Sequence, residues 1–123
     1  ITPSSTSSKI LVLVNLSIGS GSSDVYNIFK LTRGGSVISD TVATNTVGSC
    51  VAGSWSNNVY YASELHTTSY TYLDSPSSTS ALTYQAYWRV NSSTTYLNRT
   101  GNDTDAAYGS RGVSSITLLE VAG

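Results

Sequence analysis

The stretch Lys9-Ile10-Leu11-Val12-Leu13-Val14-Asn15-Leu16-Ser17-Ile18 decides the fold. It repeats every two residues: Ile10, Val12, Val14, Leu16 and Ile18 share one side, and Lys9, Asn15 and Ser17 fall on the other with Leu11 and Leu13. A helix brings together residues three and four apart, whereas successive side chains of a strand point to opposite faces. Alternation sustained over this length predicts a strand with one face in a core.

Outward from it the same grammar continues. Gly19-Ser20-Gly21-Ser22-Ser23 predicts a turn, Val25–Arg33 a second strand, and Gly34-Gly35 a tight hairpin into residues 36–39. Residues 41–47 are β-branched and read as a strand, and residues 48–58, which hold Cys50 and Trp55, read as a loop. Residues 59–65 and 69–73 are Tyr-rich strand segments, separated from the next by the turn Asp74-Ser75-Pro76-Ser77-Ser78, where Asp74 is suited to cap backbone amides. Residues 81–90 alternate, with Leu82, Tyr84, Ala86, Trp88 and Val90 against Thr83, Gln85, Tyr87 and Arg89. Asn91-Ser92-Ser93 turns into a strand at 94–99, residues 101–112 form a loop, and Ser115–Val121 closes the chain with Ile116, Leu118 and Glu120 against Thr117, Leu119 and Val121. No window supports a helix of ordinary length. About eight short strands predict an all-β, antiparallel, jelly-roll-like β-sandwich, one domain over residues 1–123 with an extended N-terminal lead-in at 1–8.

The composition narrows function. The 123 residues carry six Lys or Arg, seven Asp or Glu, one His and one Cys, for a formal charge of -1. That balance supplies no basic patch for nucleic acid or anionic lipid, and no apolar run reaches the ~20 residues that cross a bilayer as a helix. A single Cys forms no disulfide within the chain, so rigidity must come from packing or oligomerisation. Ser and Thr number 40, yet the low net charge and recurring Val, Ile, Thr and Tyr argue against disorder. Ile1-Thr2-Pro3 reads as the lead-in to a domain of a processed or longer chain.

Catalytic readings lack parts. His66 is the sole histidine, so it forms no two-His metal set and reads as a strand-edge or surface side chain rather than a general base. Cys50 has no charged residue near it in sequence to activate the thiol. Asn102-Asp103-Thr104-Asp105 offers hard oxygens, but no EF-hand spacing follows and a solvated loop is the better reading. No acid pair for glycosidic cleavage is evident. Sequons at Asn15, Asn91, Asn98 and Asn102 are what a chain this rich in Ser and Thr produces by chance. No catalytic residue, metal or cofactor is expected. The aromatics remain: nine Tyr and two Trp. Tyr84 and Trp88 read as cross-strand packing, whereas Trp55, beside Asn57, Tyr60 and Tyr61 in a polar loop, is the expected ligand or partner contact.

The succession Tyr72-Leu73-Asp74-Ser75-Pro76-Ser77-Ser78-Thr79-Ser80-Ala81-Leu82-Thr83-Tyr84, then Thr95-Tyr96-Leu97-Asn98-Arg99 and Ser114-Ser115-Ile116-Thr117-Leu118-Leu119-Glu120-Val121, resembles small β-domains of the virion proteins of tailed bacteriophages, marine and cyanobacterial ones in particular. The opening Ile1-Thr2-Pro3-Ser4-Ser5, Lys9-Ile10-Leu11-Val12 and the Leu31-Thr32-Arg33-Gly34-Gly35 hairpin fit the same pattern. The resemblance implies a homotrimeric, non-enzymatic virion-surface part, a tail-fibre or receptor-binding tip or a capsid or tail decoration protein. Its partners would be other virion proteins and host-surface glycan. The alternatives are a secreted or surface carbohydrate-binding module and, last, a small hydrolase using His66.

Overall fold

The computed structural model describes residues 1–38, 52–56 and 61–123, with backbone alone for 52–56 and Tyr61. The strand expected at 41–47, together with Cys50, Asn57 and Tyr60, lies outside the described residues. Eight strands are described: β1 Lys9–Ser20, β2 Val25–Arg33, β3 Ser36–Val37, β4 Ala52–Ser56, β5 Leu65–Asp74, β6 Tyr84–Val90, β7 Thr95–Leu97 and β8 Ser115–Val121. A single 3-10 turn, Tyr61–Ser63, precedes β5. With β3 only two residues long, seven strands have three residues or more.

The strands form two antiparallel sheets. In the first, β5 runs along one edge of β1, from Ile10↔Asp74 to Gly19↔Leu65. β8 and β7 share its other edge, because both pair with residues of β1 that β5 already holds. In the second, β6 covers Asn27–Arg33 on one edge of β2, and β3 and β4 share the opposite edge. The two central strands are consecutive in the chain and lie in opposite sheets, so the fold is a β-sandwich. The strand order of a jelly roll is not evident in these pairings.

The core follows from the alternation. Ile10, Val12, Val14, Leu16 and Ile18 of β1 are buried with Phe29 and Leu31 of β2, Tyr70 of β5 and Tyr84 of β6. Burying an aliphatic or aromatic side chain is worth about 1.5–3 kcal/mol, so this one strand contributes a large share of the core.

Several local expectations change. β1 continues through Gly19 and Ser20, where a turn was expected, because a Cβ at Gly19 would lie 2.1 Å from the Arg99 carbonyl and glycine alone lets that backbone approach. Residues 52–56 are not loop but a strand, drawn into extended form by the ladder along Val25–Phe29. From residue 61 on, the segments expected at 59–65 and 69–73 are instead the Tyr61–Ser63 turn and one continuous strand, since the polar His66-Thr67-Thr68 is laddered to the far half of β1, while residues 59 and 60 lie outside the described residues. Asp74 caps no turn amide; it ends β5 and accepts hydrogen bonds from Arg33 and Tyr84. The lead-in is not simply extended. It bends so that Ser8 N–H donates to the Ser5 carbonyl, while Ile1 and Leu82 exchange hydrogen bonds at 3.0 and 2.8 Å. Glu120 holds this segment by accepting from Ser4 N–H at 2.7 Å and Ser4 Oγ at 2.6 Å, and those bonds keep its carboxyl below the usual carboxylate range. The Gly34-Gly35 hairpin forms as expected, with φ of +56° and +83° at the two glycines.

Candidate functional site

A sandwich buries one face of each sheet and offers the other to solvent, so function on this fold is sought on two outer faces and along its open edges. On the second sheet the residues of β2 that alternate with the core are Tyr26, Ile28 and Lys30, and those of β6 are Gln85, Tyr87 and Arg89. The register sets Ile28 opposite Arg89 and Lys30 opposite Tyr87. Tyr26 and Tyr87 are each about half exposed, 50% and 51%. Four residues of strand separate their rows, about 13 Å at ~3.3 Å per residue. Asn91 fixes the Tyr26 end: its Oδ1 accepts the Tyr26 N–H at 2.7 Å and its Nδ2 donates to the Asp24 carbonyl at 3.2 Å. A recess of about 130 Å³ lies there, lined by Tyr26, Ile28, Arg89, Val90 and Asn91.

Of the four expected contact residues, Trp55 belongs to β4, where it stands opposite Tyr26 in the register. Tyr61 begins the 3-10 turn, and Asn57 and Tyr60 lie outside the described residues. The structure therefore brings Trp55 level with Tyr26, two residues that sequence reading kept apart. Tyr87 and Arg89 were legible only as the polar side of an alternating strand.

The outer face of the first sheet differs in kind. Leu73, Leu11 and Leu119 stand in one row across β5, β1 and β8, with Leu13 and Val121 in flanking rows. Leu73 and Leu119 are each 49% exposed, and Leu13 and Val121 are also exposed. Along one side the sandwich also gapes between β6 and β8, leaving a cleft of about 210 Å³ lined by Val14, Leu16, Ala86, Trp88, Leu97 and Ile116.

Several titratable groups elsewhere are engaged with one another. Arg33 Nη1 and Tyr84 Oη both donate to Asp74 Oδ2 at 2.6 Å, joining the two sheets. Burial, reinforced by the Asp74 carboxylate, pushes the Tyr84 phenol upward. Burial alone pushes Tyr70 up to about 12, and its hydroxyl has no hydrogen-bond partner among the described residues. His66 Nε2 lies 3.1 Å from Glu64 Oε2. In the 101–112 loop Asp103 is held below its ordinary range by the Arg111 guanidinium, which reaches it at 2.5 Å, and Arg99 stands 3.6 Å away. No cluster of three potential metal ligands occurs among the described residues. Comparison with known protein families, with characterised proteins and with solved structures finds no match to this chain.

Proposed function

We propose that the chain is a non-enzymatic structural domain of a tailed-phage virion, assembled as a homotrimer and displayed on the particle surface as a fibre tip or as a capsid or tail decoration protein. The observation that supports assembly is the Leu73–Leu11–Leu119 row, solvent-facing in the single chain and flanked by Leu13 and Val121. Leaving such a row in water forgoes about 25 cal/mol for every Å² that a neighbour covers. A second copy is the occupant this reading commits to, since repeating one interface around an axis covers the row in every copy. The resemblance of the sequence to phage virion β-domains supplies the location. Immunogold labelling of intact particles that carry this chain tests it: label on the particle exterior is expected, and particles that stay unlabelled although the chain is present in the lysate would contradict it.

A second reading is a carbohydrate-binding module, and a fibre tip that binds host glycan unites the two. Tyr26 and Tyr87, half exposed on one sheet face with Trp55 level with Tyr26, favour it, because aromatic rings offer sugars a broad apolar surface. Loss of glycan-array signal in Tyr26→Ala and Trp55→Ala is the expected result. An unchanged array in both variants removes this reading.

A further inference from the structure

We propose that residues 1–8 form a strap that opens while the sandwich stays folded, with Glu120 as its catch. Closed, the strap clasps the β6 and β8 sides of the molecule together. Protonation of Glu120 releases it and lengthens the apolar cleft beside it.

The two sheets part along one side, between β6 and β8, and that seam has two halves. In the register of β8 on β1, Ile116 stands opposite Val14 and Glu120 opposite Ile10. The Val14 half is open: it is the cleft of about 210 Å³ that Ala86 and Trp88 of β6 line with Ile116 of β8. The Ile10 half is spanned by the strap. Ile1 exchanges hydrogen bonds with Leu82, two residues before β6, while Ser4 donates from its N–H and its Oγ to Glu120 Oε1 of β8. Pro3, between these two anchors, is buried. The strap therefore ties together two edges that stand apart further along the seam.

It is held lightly. Residues 1–8 contain no strand or helix, and only Pro3 and Ser8 among them are buried. Segments with few buried contacts and solvent-exposed hydrogen bonds open first, with the body of the fold intact. β1, which follows, is laddered on both edges. Ile116, Leu118 and Glu120 share the side of β8 that faces the core, so the catch is an acid at the end of an apolar row. Glu120 is itself exposed, so solvent protons reach it.

The charged groups around this carboxylate are few. The strap brings the Ile1 ammonium, which donates to the Leu82 carbonyl at 3.0 Å. β1 brings Lys9, opposite Val121, and the end of the chain brings the Gly123 carboxyl group, which accepts from Ser7 Oγ at 3.2 Å. Residues 75–83 carry no ionisable side chain, and Asp74 before them is held by Arg33 and Tyr84. No cation pairs with Glu120 among the described residues. Hydrogen bonds from the hydroxyls of Ser4 and Ser8 and from the Ser4 N–H hold its carboxyl below the ordinary range. By linkage those bonds act in full above that range and are lost as the pH falls through the lowered value.

The test is amide hydrogen exchange of the full chain, read by nuclear magnetic resonance at pH 6 and pH 2.5 on either side of the ordinary glutamate range, together with binding of an apolar fluorescent dye. Protection of the Ser4 and Leu82 amides is expected to fall about tenfold or more at the lower pH, while that of Val12 and Val14 holds. Dye binding should rise as the strap opens. Glu120→Ala should show low strap protection at both pH values. Glu120→Gln, which keeps an acceptor oxygen but cannot ionise, should remove both responses to pH and keep the β1 protection of the parent. Equal strap protection at the two pH values in the parent overturns the proposal. A fall of the β1 amides in the same proportion as Ser4 also overturns it, because the event is then global unfolding. Opening without a rise in dye binding overturns the lengthening of the cleft.

Discussion

Asp74 and Tyr84 are joined across the two sheets: the Tyr84 hydroxyl donates to Asp74 Oδ2 at 2.6 Å, from the first residue of β6 to the last of β5. Arg33 of β2 donates to the same oxygen. One carboxylate therefore bolts the sandwich together at the end where β2, β5 and β6 begin or finish. Asp74→Ala leaves a partly buried guanidinium without its counter-charge and a buried phenol without its acceptor. Urea unfolding at pH 7 should show a loss of about 2–4 kcal/mol. Asp74→Asn, which keeps an acceptor, should lose less. A loss below about 0.5 kcal/mol in the Ala variant would be that of an ordinary surface site, and the bolt would then carry no weight.

Tyr70 supplies a prediction in the opposite direction. Its hydroxyl is buried among apolar side chains and has no partner among the described residues, so Tyr70→Phe removes an uncompensated polar group. The variant should be as stable as the parent or up to about 1 kcal/mol more stable. Destabilisation by more than that would mean the hydroxyl is satisfied in solution.

The same residue sets a pH dependence. Burial raises the folded phenol to about 12, while an unfolded tyrosine ionises near 10. Below pH 10 both states are protonated and the stability is intact. Between pH 10 and 12 the unfolded chain loses its proton first, and stability falls by about 1.4 kcal/mol per pH unit from this group. Tyr84, also raised, adds to the fall. The melting temperature should drop steeply above pH 10, and less steeply in Tyr70→Phe. Equal slopes would show that Tyr70 is not the cause.

Two glycines should behave differently. Gly34 has nothing within 4 Å of an added Cβ and only its φ of +56° constrains it, so Gly34→Asn, suited to that turn position, should be close to neutral. Gly19 sits against the Arg99 and Thr100 backbone, and Gly19→Ala must push it aside. A cost of about 1–3 kcal/mol is expected in chemical unfolding. Equal effects at the two positions would contradict the geometry.

How much of this could be read from the chain follows from where each signal lies. β1, β2, the Gly34-Gly35 hairpin and β8 announce themselves because alternation and turn chemistry are local. β4 does not: Ala52-Gly53-Ser54-Trp55-Ser56 has one residue of high β-propensity and is held extended by pairing with β2. The polar start of β5 was hidden likewise, since His66-Thr67-Thr68 reads as a break until β1 is laid beside it. The outer-face site was less legible still. Tyr26 and Tyr87 are 61 positions apart in sequence and share one sheet face only because β6 pairs with β2 rather than with its neighbours in sequence. The expectation of a contact at Trp55 was built on a loop, and the residue instead occupies a strand level with Tyr26.

The central claim is that the leucine row on the first sheet is an interface between copies of this chain. Light scattering coupled to size exclusion at micromolar concentration tests it most directly, with the parent compared with Leu119→Lys and Leu73→Asp. The account predicts a mass three times the 12.9 kDa of one chain for the parent and a shift to single chains in both variants, with circular dichroism unchanged. A parent that elutes as one 12.9 kDa chain, or variants that remain trimeric, would contradict it.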